Sequence, residues 1–252
     1  MKFSLFLTFF LTLFLGCKKA TTITFTSEIL TQKDLQICKN DPCSKINIDY
    51  IKITGDNEIA TLINTHIASQ IIEALFLGED TNPSAKSVEE AAKQFILAYR
   101  DHKNEFEYDL EYEAEISVSE VFSNEALLSL QFQNYLFTGG AHGYGSTFFK
   151  NFDLHTGAEI TETDFFHDYN GFLILAEKAF RKENNIPENE SINATGFWFD
   201  EDTFSLPESM GVSKNELLFI YNPYDIASYA DGPIYFKISK KEAAPYLKKE
   251  FL

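Results

Sequence analysis

Along the chain the spacing of apolar residues changes period several times, and each change marks an expected element. Residues 47–54 read Asn-Ile-Asp-Tyr-Ile-Lys-Ile-Thr, an alternation that predicts a strand with one buried face. The Thr- and Ser-rich stretch before it, 20–36, begins as a tether and turns into a strand from Ile23. Over 58–76 the period lengthens: Ile59, Leu62, Ile63, Ile67, Ile71, Ile72 and Leu75 recur at steps of three and four, with Gly78 as the stop. Such spacing lines one side of a helix and leaves His66 one position outside the stripe, as a surface residue. A capping box at Ser87-Val-Glu-Glu90 starts a second helix that runs to about Lys103, with Ala91, Ala92, Phe95, Ile96 and Tyr99 inward. Pro83 and Ser84 separate the two, so a strand is followed by two antiparallel helices.

From Phe106 the period falls to two. Tyr108, Leu110, Tyr112, Ala114, Ile116 and Val118 alternate with Glu107, Asp109, Glu111, Glu113, Glu115 and Ser117, a strand whose ladder of acids must meet water or a cationic partner. Further strands are expected over 127–137 and 146–153, with Thr138-Gly-Gly-Ala-His-Gly-Tyr-Gly145 between them, then a helix over 171–182 and an acidic, irregular stretch over 183–202. Strands at 203–206, 216–221 and 234–238 and a terminal helix from Lys240 complete the chain, without an internal repeat. The class is α+β: antiparallel sheets with helices packed on one face, forming two small intertwined domains or one composite domain. The expected division is a leader over 1–16, a lipidated cysteine and tether over 17–36, and α+β domains over 37–145 and 146–252.

Composition narrows this. In 252 residues, 21 basic side chains face 38 acidic ones, a formal charge of −17, and 44% of positions are hydrophobic, enough for a core. An aromatic content of 15%, mostly 25 Phe and 12 Tyr, suits half-buried sheet and excludes collagenous, coiled-coil and disulfide-knot classes. So negative a chain repels phosphate backbones, and no nucleic-acid partner is expected.

At the N-terminus, Lys2 precedes an apolar run over 3–15 that is shorter than the roughly 20 residues of a spanning helix, which makes it an export signal. Phe14-Leu15-Gly16-Cys17 resembles a bacterial lipobox, so Cys17 is expected to carry diacylglycerol on its thiol and an acyl chain on its amine, anchoring the body to a membrane. Lys18 and Lys19 then meet anionic headgroups, and the lack of acids directly after Cys17 places the protein on the periplasmic side of the envelope. Cleavage there removes Lys2 and no acid, taking the charge from −17 to −18. The remaining cysteines, Cys38 and Cys43, flank the turn residues Asn40-Asp41-Pro42 and in an exported chain read as a disulfide. Zinc would need two further ligands, and the histidines at 66, 102, 142, 155 and 167 show no paired spacing, so neither a metal nor a cofactor is expected.

The Gly-rich segment is where chemistry would be sought. Gly139, Gly140, Gly143 and Gly145 fit neither a dinucleotide loop nor a P-loop, and no helix start follows to collect a phosphate. His142 lacks a nucleophile elbow, a zinc-protease motif or a Ser-x-x-Lys anywhere in the chain, which leaves a tight connection whose histidine bonds to backbone. Asp168-Tyr-Asn-Gly171 and Asp200-Glu-Asp202 lack the full ligand set of a calcium loop.

Three blocks carry a family likeness: Tyr135-Leu-Phe-Thr-Gly-Gly-Ala-His-Gly143; Phe152-Asp-Leu-His-Thr-Gly157 leading to Thr163-Asp-Phe-Phe166; and Phe219-Ile-Tyr-Asn-Pro-Tyr-Asp-Ile-Ala227 with Gly232-Pro233. They resemble the paired domains of unknown function in the extracellular part of RsiV-type anti-sigma factors, a pair that also precedes the catalytic domain of PdaC-type peptidoglycan deacetylases. The resemblance covers about residues 30 to 250. It implies an α+β ectodomain, which in RsiV-type proteins binds lysozyme, and points to Thr138, Gly139, Gly140, Ala141, His142, Gly143, Tyr221 and Tyr224 as candidate ligand residues. The sigma-binding segment and transmembrane helix of RsiV-type proteins have no counterpart in the sequence, and about twenty residues after Gly232-Pro233 are too few for the deacetylase domain. The expectation is a lipid-anchored, non-catalytic envelope binding protein whose ligand is a cationic, lysozyme-like hydrolase or peptidoglycan. The alternative is an enzyme acting on wall glycan, with His142 as base and Asp164 or Asp153 as its partner.

Overall fold

A computed structural model describes residues 23–55, 58–78, 82–105 and 110–251. The expected leader, Cys17 and the start of the tether lie outside these residues. Strands β1 (Thr24–Thr31) and β2 (Lys45–Thr54) pair antiparallel, and the disulfide between Cys38 and Cys43 closes the loop that joins them. Helix α1 (Glu58–Ala74) buries Ala60, Ile63, Ile67 and Ile71, the stripe read from the sequence. Helix α2 (Val88–Glu105) follows, its first turn capped by Ser87, whose Oγ accepts the Glu90 N–H at 3.1 Å. Arg100 on α2 donates to the carbonyls of Pro42 at 2.8 Å and Ile37 at 2.6 Å, tying the disulfide loop to the helix layer.

The two helices form a crossover, and the strand that follows them, β3 (Glu113–Ser123), lies parallel to β2, with Lys45 opposite Glu113. An all-antiparallel sheet was the expectation; parallel neighbours need a long connection, and α1 and α2 supply it. Of the alternation that starts at Phe106, residues 106–109 lie outside the described residues; residues 110–112 precede the strand, which begins at Glu113. Helix α2 holds the chain to Glu105, and β2 offers a partner only from Lys45, whose N–H donates to the Tyr112 carbonyl at 2.9 Å. Strands β4 (Leu127–Phe137), β5 (Tyr144–Asp153) and β6 (Glu159–Ile160) complete a six-stranded sheet in sequence order. The division expected at 145/146 therefore falls within a β4–β5 hairpin whose strands are paired from Leu127↔Asp153 to Leu136↔Tyr144.

One face of this sheet, with Ile46, Ile48, Ile116, Val118, Leu130, Phe132 and Phe152, packs under α1 and α2. The opposite face divides. At one end it is covered by a second unit, built from α3 (Tyr169–Glu183), the three-stranded sheet β7 (Met210–Val212), β8 (Glu216–Tyr221) and β9 (Ile234–Ser239), and the short α4 (Lys240–Ala243). Its core is aromatic: Phe165, Phe172, Phe180, Phe199, Phe204, Phe219 and Phe236 are all buried. The strand expected over 203–206 is absent, since Phe204 buries its ring there without a ladder and Pro207 removes a backbone donor; β7 forms just beyond it.

The two units meet through buried polar side chains. Ser129 on β4 and its cross-strand neighbour Asn151 on β5 face β7, where Ser129 Oγ accepts the Val212 N–H at 3.0 Å and Asn151 Nδ2 donates to the Met210 carbonyl at 2.7 Å. β7 pairs with β8 on one edge only; the backbone groups of its other edge have no ladder partner, and buried side chains take that place.

Candidate functional site

At the uncovered end the same sheet face is polar. Asn47 and Asp49 on β2, Glu115 and Ser117 on β3, and Gln133 and Tyr135 on β4 point outward because their alternate neighbours point into the core. They floor an open groove of ≈ 640 Å³. Its wall comes from the second unit: Asn222, Pro223, Tyr229, Gly232 and Pro233 overhang the sheet. Part of the acid ladder seen in the sequence, Glu115, thus lies in the floor, with Asn47 beside it and Asp49 opposite Ser117.

The wall is fixed by side chains that imitate a strand. Asn222 accepts the Thr147 N–H at 2.7 Å and donates to the Thr147 carbonyl at 3.1 Å, occupying the outer edge of β5 as a neighbouring peptide would. The carboxylate of Asp225 accepts the Asn222 N–H at 2.7 Å, and the Trp198 ring N–H donates to the Asp225 carbonyl at 3.3 Å. Tyr224 holds a φ of 76°, a left-handed conformation uncommon for an aromatic residue, and its ring is 54% exposed. Burial lifts the Asp225 carboxyl above its ordinary value, with the nearby Glu208 charge adding to that, although the Asn222 hydrogen bond pulls the other way. The Tyr144 hydroxyl is likewise raised, by burial and then by the Asp225 charge.

The Gly-rich loop lies behind the groove wall, against Tyr229. Gly139 and Gly140 have φ of 94° and 90°, which turns the chain from β4 into β5. The Tyr135 ring lies so close over Gly143 that a Cβ there would sit 2.5 Å from it. The His142 ring stacks on Tyr229, with centroids 3.9 Å apart and planes at 18°, and its Nδ1 is 3.0 Å from the Gly143 carbonyl, which also accepts the Tyr229 hydroxyl at 2.8 Å. Tyr224 stands 5.6 Å from Tyr229.

Of the residues singled out from the sequence, the structure brings together the loop Thr138, Gly139, Gly140, Ala141, His142 and Gly143 with Tyr224, through Tyr229. Tyr221 belongs elsewhere: it is buried in the aromatic core, with its hydroxyl donating to the Ser205 carbonyl, because alternation along β8 turns it inward. Neither proposed acid accompanies His142. Asp153 ends β5 nine residues beyond Tyr144, about 30 Å along the strand, where it accepts from His155. Asp164 caps its own turn by accepting the Thr161 hydroxyl at 2.6 Å and the Thr161 N–H at 2.9 Å, and these hydrogen bonds hold its carboxyl below the ordinary range. Asp168 likewise caps α3 through the Gly171 N–H. Tyr229, Tyr135 and the overhanging Asn222-Pro223 were not legible as a site; only the acid ladder signalled the floor.

A family model described as Deacetylase PdaC matches residues 37–144, and one described as a protein of unknown function, DUF3298, matches residues 159–241. The two matches lie in tandem, a segment similar to PdaC followed by one similar to DUF3298. Both are domains of the cell-envelope type. The fold recurs in solved structures of DUF3298 family proteins. One from Bacteroides fragilis NCTC 9343 is 21% identical with a TM-score of 0.72, over 92% of this chain and 96% of that one. One from Pseudomonas aeruginosa PAO1 is 18% identical with a TM-score of 0.63, again over 92% and 96%. No curated protein matches the tandem. Residues 145–158, between the two family matches, make most of β5, the strand on which both units rest.

Proposed function

We propose that the chain is a non-catalytic binding protein of the cell envelope, held to a membrane by lipid on Cys17, that engages a cationic wall-active protein of the lysozyme kind through the groove over β2–β5. The observation that carries this reading is the composition of the groove: an acidic and amide floor at Asp49, Glu115 and Gln133, bordered by the aromatic rings of Tyr135 and Tyr229. Tyrosines supply contact area at low entropic cost, and acids at the rim complement a cationic surface. The charge of −18 after cleavage before Cys17 adds a field that speeds encounter with such a partner. The stacking of His142 on Tyr229, and its contact with a backbone carbonyl, support a role in shaping the groove over one as a general base.

The test is titration of the full chain with lysozyme, and separately with soluble peptidoglycan fragments. Lysozyme is expected to bind, more weakly as salt rises, and the Asp49→Asn, Glu115→Gln double variant to lose about tenfold in affinity. Binding of the glycan fragments alone would replace this reading with the peptidoglycan one. Glycan turnover that vanishes in a stable His142→Ala protein would replace it with the enzyme. For the anchor, Cys17→Ser is expected to abolish acylation, read by mass spectrometry of the membrane fraction.

A further inference from the structure

A second pocket, of ≈ 600 Å³, lies on the other side of Asn222 along the outer edge of β5. One wall is the end of α1, the other the chain leading into β7. Its charged groups are Glu73, Glu159, Glu208 and Asp225 against a single base, Lys150, whose amine is held by Glu159 at 2.6 Å. Half-buried Phe148 supplies apolar surface between them, with the buried Phe149 and Ile220 behind it.

An independent feature sits at the pocket's far end. Asn151 lines it and is 5% exposed; its Nδ2 is used on Met210, while its Oδ1 has no hydrogen-bond partner in the protein. A buried acceptor left unmet is costly, and it wants an N–H or O–H donor. Thr147, which carries Asn222, and Asn151 are four residues apart on one strand, a rise of about 13 Å, and Asp225 reaches the Thr147 end through Asn222. The carboxylates are spread over that length: among the described residues no three acids, histidines or cysteines converge closely enough to hold a metal ion.

We propose that this pocket binds an elongated polyamine, one ammonium group meeting Asp225 and Glu208, the alkyl stem lying along Phe148, and a second amine donating to Asn151 Oδ1. The spacing, the apolar stem wall and the excess of acids each match one part of such a molecule, whose ends lie about 11 Å apart for a seven-carbon triamine and thus span most of the pocket. The site is distinct from the sheet groove and does not depend on what that groove binds.

Calorimetric titration of the full chain with spermidine tests this, with Nα-acetyl-lysine amide as a one-amine probe and 1,8-octanediol as a neutral probe of similar length. Saturable spermidine binding below about 5 mM is expected, tighter than that of the lysine amide, with none from the diol. Glu208→Gln makes no structural hydrogen bond less and is expected to weaken spermidine about threefold; adding Asp225→Asn, which keeps an acceptor for the Asn222 N–H, brings the loss to about tenfold. The proposal is overturned if spermidine gives no saturable signal below that concentration, or if the double variant binds it unchanged. It is also overturned if the lysine amide binds as tightly as spermidine, which would make the pocket a receptor for a single side chain of a protein.

Discussion

His142 and Gly140 are two residues apart in the β4–β5 loop and differ in what they contribute. A Cβ on Gly140 would meet nothing within 4 Å, so the obstacle to a side chain is its φ of 90° alone. Gly140→Val is expected to cost about 1–3 kcal/mol by chemical denaturation. His142→Ala, which removes one ring stack from an exposed loop, is expected to cost less, about 0.5–1.5 kcal/mol, while changing the shape of the groove. Asp225 behaves in the opposite sense. Its folded-state pKa is raised above 3.8, so the fold favours the protonated acid and the ionised form at neutral pH is a burden. Stability from this group is full below the unfolded pKa and is lost as pH rises through the folded one. Asp225→Asn is therefore expected to raise the melting temperature at pH 7, with the gain shrinking as pH falls through the raised pKa. A variant that is more stable and binds amines less well would mark Asp225 as kept for its ligand. Glycine positions and the acid ladder could be seen in the sequence at this scale. Tyr229 could not, because nothing local says that its ring meets His142, 87 residues earlier.

Among the elements, β5 is the one on which the rest depends. Its inner edge pairs with β4, and its outer edge is occupied by a strand only at Asn151 and Phe152. Elsewhere side chains close it: Asn222 on both groups of Thr147, and Ser209 Oγ on the Phe149 N–H at 3.1 Å. Asn222→Ala is expected to lose about 1–3 kcal/mol and to raise amide hydrogen exchange at Thr147 selectively. α1, α2, β4 and β8 were readable in the sequence because each satisfies its period within one continuous run. β6 and β7, of two and three residues, were not, since such strands exist only where a partner lies alongside. The parallel pairing of β2 with β3 was hidden for a related reason: alternation shows which face is buried and says nothing about the neighbour's direction.

At the scale of the molecule, two cores share one sheet. Leu127 and Leu128, adjacent on β4, belong to different cores because successive side chains point to opposite faces. A fragment ending at residue 145 would lack all but the first two residues of β5 and leave Ser129 and the odd-numbered face of β4 without cover. Such a fragment is expected to give poorly dispersed amide NMR spectra, whereas the full chain unfolds in one transition by calorimetry. The sequence by itself determined the α+β class, most element positions, the Cys38–Cys43 disulfide and the acidic character of one sheet face, since each follows from residue type, short-range spacing or composition. Only the tertiary structure decided that Asn222 lies on β5 and Tyr229 on His142, that His142 has neither Asp153 nor Asp164 beside it, and that the sheet's polar face becomes a groove. These are contacts between residues far apart in the chain. Their energy comes from burial and hydrogen bonding that arise only once the second unit has packed across the sheet, and no local pattern encodes them.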